Sequence, residues 1–165
     1  MIRNLTLVLL CLPLMLLADE KPVLEVAREV MASARYCALI TIDDTGQPRA
    51  RTVDPFTPEE DFTIWMATRP VTRKVSQIEQ NERVTLYYWD SDSRSYVTLM
   101  GHAALVDDED TKRRLRRPED NERFYPDFPD DYLLIRFVPD YLEAIVPGYR
   151  GDAETWAPAR HEFIR

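Results

Sequence analysis

From residue 36 to residue 106 the chain is built of short runs rich in β-branched and aromatic residues, each stopped by a turn signal. "YCALITID" and "QPRARTVDPF" flank "DTGQ", where Asp44 and Gly46 supply the turn, so the two runs pair as a hairpin. "FTIWMAT" follows "PEED" as a third strand, and "RVTLYYWD" and "SYVTLMGHAALVDD" make a second hairpin around "SDSR". Later, "YLLIRFVPDYLEAIV" gives one or two closing strands, with Pro139 at a break or an edge. No strand–helix–strand alternation is sustained and no repeat period is visible, which excludes doubly wound and solenoid folds. About six antiparallel strands on a small chain predict a mainly β fold: a closed or nearly closed barrel, because closure removes exposed edges.

Helical spacing is confined to three places. "KPVLEVAREVMASARYCAL" has Pro22 near a first turn and sets Val23, Ala27, Val30, Met31 and Ala34 on one face. "KVSQIEQNERV" places Val75 and Ile78 three apart and predicts a short helix over residues 74–80. "DDEDTKRRLRR" predicts another, acids first and bases last. Between that helix and the closing strands, "RPEDNERFYPDFPDD" reads as irregular, with its Asp130–Asp131 pair, like Glu59–Glu60, in solvated loops. The segment "DAETWAPARHEF" is expected to lie over the surface with Trp156 pinned to something apolar, and "YYW" at residues 87–89 to serve core and rim packing.

The N-terminus differs in kind. One basic residue precedes an apolar run over residues 5–18, then acids follow. The run is shorter than the roughly 20 residues that span a bilayer. It fits a signal-peptide core with cleavage after Ala18, which predicts an exported protein, periplasmic or secreted. Leu16 is bulky where cleavage prefers a small residue, so an uncut membrane anchor is the alternative. Residues 19–165 then form a single domain. Of the two cysteines, Cys11 lies in the leader and Cys37 in an apolar strand, where it reads as a buried small hydrophobe. A net charge of −8 argues against a nucleic-acid partner and makes any local basic cluster informative.

Residues 68–74, "TRPVTRK", form such a cluster. It falls where the third strand hands over to the second helix, with Pro70 at the break. Arg73 and Lys74 at a helix N-terminus have the wrong sign for the dipole and cost about 0.3–1 kcal/mol each unless an anion joins them. Two readings are open: a basic surface turn, or an anion seat in which helix-start amides, the Thr68 and Thr72 hydroxyls and the Arg73 and Lys74 cations converge on a phosphate. On the second strand, Arg49, Arg51 and Val53 share one face. That face is either solvated, or it turns Arg51 into a polar pocket near "TRPVTRK". No glycine-rich loop accompanies the seat, which excludes a P-loop or Rossmann fingerprint, and no G-x-S-x-G elbow is present. His102 and His161 have no partner at metal spacing, so no metal is expected. What remains is phosphate binding without an evident acid, base or nucleophile, the pattern of a protein whose chemistry is carried by a cofactor.

The order of these residues resembles the pyridoxamine 5′-phosphate oxidase-like FMN-binding split-barrel family, above all its small general-stress-protein branch. The resemblance runs from Val23 to about Val146 and rests on "ALITIDDTGQPRARTVD", "FTIWMATRPVTRKVSQIEQNERVTLYY", "YVTLMGHAALVDD" and "LLIRFVPDYLEAI". It implies a split β-barrel, a homodimer with flavin mononucleotide (FMN) at its interface, and oxidoreductase activity on a small molecule. Thr72, Arg73 and Lys74 stand where the family seats the FMN phosphate, with Thr for Ser. Arg51, Thr52 and Val53 match the strand that runs along the flavin, and Ala67 and Thr68 the strand end beside its ring. The basic C-terminal segment with which vitamin B6 oxidases hold pyridoxal phosphate is not recognisable. Export without FMN into a compartment poor in it implies a tight site, another phosphate-bearing or tetrapyrrole ligand, or a barrel that has lost its flavin.

Overall fold

The computed structural model describes residues 21–164, so the leader read in residues 1–18 lies outside the described residues. The elements are α1 (Val23–Ala34), β1 (Cys37–Ile42), β2 (Pro48–Val53), β3 (Ile64–Thr68), α2 (Arg73–Gln80), β4 (Arg83–Asp90), β5 (Ser95–Val106), α3 (Glu109–Leu115), β6 (Leu133–Ile145) and β7 (Ala159–Glu162). All strand pairings are antiparallel, in the order β2-β1-β4-β5-β6-β3 with β7 also on β6.

The described residues form seven strands, where about six were expected. The addition is β7, from the segment expected to lie irregularly over the surface. Its register, Tyr141 with Glu162 through Ala144 with Ala159, fills the half of one β6 edge that β3 leaves open. Trp156 is not pinned: it is 80% exposed, in the loop that leads into β7.

β6 runs straight through Pro139. The proline faces Gly101 across a register shift in β5, and a Cβ at Gly101 would sit 2.1 Å from the Val138 carbonyl oxygen. Only glycine lets the two backbones approach so closely, and the bulge absorbs the missing proline amide.

Alternation decides the core. Cys37, Leu39 and Thr41 of β1, Leu86 and Tyr88 of β4, and Val97 and Leu99 of β5 all point inward and are buried. α1 covers this face with Val26, Ala27, Val30 and Met31. Each large side chain buried there contributes on the order of 1.5–3 kcal/mol. The "YYW" run splits as strand parity requires: Tyr88 is 2% exposed, whereas Trp89 is half exposed.

The ladder does not close into a full barrel. Its ends, β2 and β3, are tied by one bridge, Pro55 with Met66, and by the Phe56 amide donating to the Trp65 carbonyl at 2.8 Å. Between these edges the sheet splits, and the cavity described next opens there.

Candidate functional site

A cavity of about 520 Å3 occupies the split. β2 contributes Arg51, Thr52 and Val53, the end of β3 contributes Ala67 and Thr68, and the approach to α2 contributes Thr72 and Lys74. Seven of the eight residues singled out in the sequence thus converge on one wall. Arg73 does not line the cavity; its side chain is exposed, yet its charge reaches Arg51.

The arginines of β2 separate in role. Arg49 is half exposed and bonds Asp43 at 2.6 Å beside the hairpin turn. Arg51 turns inward, donating to Thr41 Oγ1 at 2.7 Å, to Gln77 Oε1 at 2.8 Å and to the Leu39 carbonyl at 3.2 Å. Thr41 in turn donates to Gln77 Oε1 at 2.6 Å. Every group holding Arg51 is neutral, so its charge is oriented but not cancelled. Burial and the nearby Arg73 charge both lower its affinity for its proton.

Lys74 repeats the pattern. Its Nζ donates to Thr68 Oγ1 at 2.9 Å and Thr72 Oγ1 at 3.2 Å, and the two hydroxyls lie 3.1 Å apart. Burial first, then the Arg51 charge, hold its pKa below the ordinary lysine value. No carboxylate pairs with Arg51, Arg73 or Lys74 among the described residues, although acids outnumber bases by 29 to 21 in the whole chain. Three cations left together without an acid are electrostatically unfavourable until an anion joins them.

The opposite wall comes from residues 117–131, the stretch read as irregular, with Tyr132 behind it. Arg117 bonds Asp120 at 3.1 Å, lies 3.6 Å from Asp54 and stacks on Phe56. Asp120 also accepts from the Tyr132 hydroxyl at 3.0 Å. Tyr125 packs edge-on against Tyr132, and burial, with the Asp120 charge second, pushes its phenol up to about 12, so it remains a proton donor at neutral pH. Asp131, expected in solvent, is instead 9% exposed; its carboxylate has no hydrogen-bond partner and faces Arg69 at 3.7 Å. Arg69, the third cation of "TRPVTRK", is thereby neutralised, unlike Arg73 and Lys74.

Sequence reasoning missed Thr41, Gln77 and this second wall. Thr41 carried a faint signal, being polar at an inward position of a strand whose neighbours at the same parity are Cys37 and Leu39.

Comparison with known proteins places the fold. Residues 23–144 match the family described as pyridoxamine 5′-phosphate oxidase. General stress protein 26 from Bacillus anthracis is 21% identical with a TM-score of 0.65, over 84% of this chain and 96% of that one. A pyridoxamine 5′-phosphate oxidase-related, FMN-binding protein from Nostoc punctiforme is 15% identical with a TM-score of 0.59, over 84% and 92%. A heme binding protein from Mycobacterium smegmatis is 17% identical with a TM-score of 0.61, over 76% and 55%. No curated protein sequence matches the chain. At these identities the structural likeness establishes the fold.

Proposed function

The chain belongs to the pyridoxamine 5′-phosphate oxidase family, and within it we propose that this protein is an FMN-binding oxidoreductase acting on a small molecule. One observation carries the reading: Arg51 and Lys74 line the cavity, half-buried and with no carboxylate paired to either among the described residues, beside two hydroxyls and a helix start. That donor set fits a phosphate monoester. Thr68, Thr72 and Lys74 supply donors, Arg51 supplies an oriented second charge, and Arg73 supplies long-range field. Thr52, Val53 and Ala67 form the neighbouring wall for a planar ring. Bound there, flavin supplies the capacity to accept and donate electrons, and the chain supplies position and charge.

A homodimer completes this proposal. Ala38, Ile40, Tyr87, Trp89, Tyr96 and Met100 project from the sheet face opposite α1, in rows fixed by the pairing of β1, β4 and β5. Tyr87 and Tyr96 stack there at 5.8 Å. An apolar face of this breadth suits burial against a second copy. Export of the protein, on the strength of residues 5–18, belongs to the same proposal.

A binding role without turnover is the second reading, with flavin, haem or another anion held on the same barrel. It asks of the cavity only the anion seat of Arg51, Thr68, Thr72 and Lys74. The absorbance spectrum of protein purified with and without residues 5–18 tests these readings. The flavin reading expects a yellow protein that loses its colour in Arg73→Ala and Lys74→Ala. Unchanged flavin in both variants rejects the site. Bound flavin without turnover with reduced nicotinamides or oxygen selects the second reading.

A further inference from the structure

α1 ends in an uncommon way. Arg35 has φ 59° and ψ −55°, and the Tyr36 amide bonds back to the Ala34 carbonyl at 2.6 Å, which makes Arg35 the centre of a γ-turn with positive φ. This conformation strains a residue that carries a Cβ, and strain of this kind concentrates where a side chain must be aimed. Arg35 stands at the junction of two cavities. One is the 520 Å3 cavity of the proposed cofactor; the other, of about 360 Å3, is walled by Met31, Ala32, Pro55, Phe56, Pro58 and Tyr88.

Of the other cations that line these two cavities, Arg51 and Lys74 belong to the proposed phosphate seat, and the rest have their donors engaged. Arg28, on the rim of the smaller cavity, donates to the carbonyls of Pro58, Glu59 and Glu60 and lies 3.9 Å over the Phe62 ring. Arg69 and Arg117 face carboxylates. Arg35 rests on the Tyr36 ring at 5.0 Å, and no carboxylate pairs with it among the described residues. A cavity of mostly apolar walls, at the small end of the roughly 300–1,000 Å3 range of ligand sites, is thus lined by two guanidiniums, of which Arg28 spends its donors on carbonyls and Arg35 has no side-chain hydrogen bond or ion pair among the described residues. A single planar cation matches a carboxylate with two parallel hydrogen bonds, and the apolar walls exclude a polar or multiply charged body.

We propose that the smaller cavity is the substrate subsite and takes a small monocarboxylate, its apolar body between α1 and residues 55–58 and its carboxylate on Arg35. The inference rests on the cofactor reading only for what lies next door, so the two can fail separately.

Benzoate is the probe, titrated calorimetrically into the full chain with and without FMN, beside its neutral counterpart benzamide. Benzamide is expected to bind at least about ten-fold more weakly than benzoate, because it lacks the charge that Arg35 reads. Arg35→Ala is expected to weaken benzoate by a similar factor. Arg35→Gly is expected to lose benzoate equally while raising the melting temperature, since glycine adopts positive φ without strain. Ala32→Trp, on the exposed side of α1, is expected to block benzoate and leave FMN affinity unchanged. Lys74→Ala is expected to do the reverse. Absence of benzoate binding, equal binding of benzoate and benzamide, or full binding by both Arg35→Ala and Ala32→Trp overturns the subsite. Benzoate binding intact in a chain that takes up no FMN upholds the subsite and rejects the cofactor reading instead.

Discussion

The two short helices begin in opposite ways. At α3 the acids come first: Asp108 accepts from the Thr111 amide at 2.8 Å, Glu109 and Asp110 fill the first turn, and the bases follow. Hydrogen bonds from Thr111 hold the Asp108 carboxyl below the usual carboxylate range, so the cap prefers its charged form. At α2 the first turn has no acid, and Thr72, though placed as N-cap, makes no side-chain cap bond. Its hydroxyl donates to the Arg69 carbonyl and accepts from Lys74. One helix start is arranged for its own stability; the other gives stability up and keeps uncancelled positive charge beside a cavity. The same chain thus states the rule and its exception about thirty-five residues apart, and the exception lies beside the cavity to which we assign the ligand.

The largest expected effect separates the two ends by what each group supports. Lys74→Met removes the charged donor pair on Thr68 and Thr72, which is expected to weaken FMN by roughly 10–100-fold, about 1.5–3 kcal/mol for hydrogen bonds to a charged group. Without ligand the same variant is expected to melt no lower than the parent, because the half-buried charge is gone and the two hydroxyls still bond each other. Equilibrium dialysis and thermal melts of one preparation check both halves. A melting point that falls together with affinity would make Lys74 a structural group and dissolve the contrast.

A smaller effect comes from the caps. Asp108→Ala is expected to cost about 1 kcal/mol of stability, the ordinary loss at a bonded N-cap. Thr72→Ala is expected to cost under half as much while still weakening FMN, since its hydroxyl serves Lys74 rather than a helix amide. Denaturant unfolding of the two variants reads the difference directly. Equal losses would mean that α2 is capped in solution after all.

How much of this could be read from the sequence follows the range of the interactions. The hairpins, the three helices and the clustering of Thr68, Thr72 and Lys74 depend on neighbours within a few residues, and periodicity and turn chemistry exposed them. Arg51 was reachable only as one of two choices, because parity gives a face but not which face lies over a cavity. Thr41 and Gln77, which orient Arg51, come from β1 and α2 and meet only in the folded chain. Residues 117–131 have no period at all. Their order comes from single long-range contacts such as Tyr132 on Asp120 and Asp131 near Arg69, which a proline- and acid-rich composition conceals. β7 was hidden for a related reason: four residues flanked by exposed chain acquire strand character only from the free edge of β6.

The subtlest test of the contrast is a proton count. Lys74 has a pKa below its unfolded value of 10.5, through burial first and the Arg51 charge second. Between that depressed value and 10.5 the unfolded chain binds more protons than the folded one, so stability of the ligand-free protein rises with pH across this window. An anion seated against Lys74 favours its charged form and restores the proton. FMN binding is therefore expected to take up a fraction of a proton at alkaline pH below 10.5 and none through Lys74 at neutrality. The phosphate itself does not interfere, since its second ionisation lies near pH 6 and is complete throughout the window. Calorimetric titrations in buffers of different ionisation enthalpy measure the uptake, and Lys74→Met is expected to abolish it. Asp108 at α3 offers the opposite sign: its carboxyl is held low, so its contribution is present above the unfolded value of 3.8 and fades as acid is added through the folded one. Proton release on FMN binding, or an uptake that persists in Lys74→Met, would place the phosphate against some group other than Lys74.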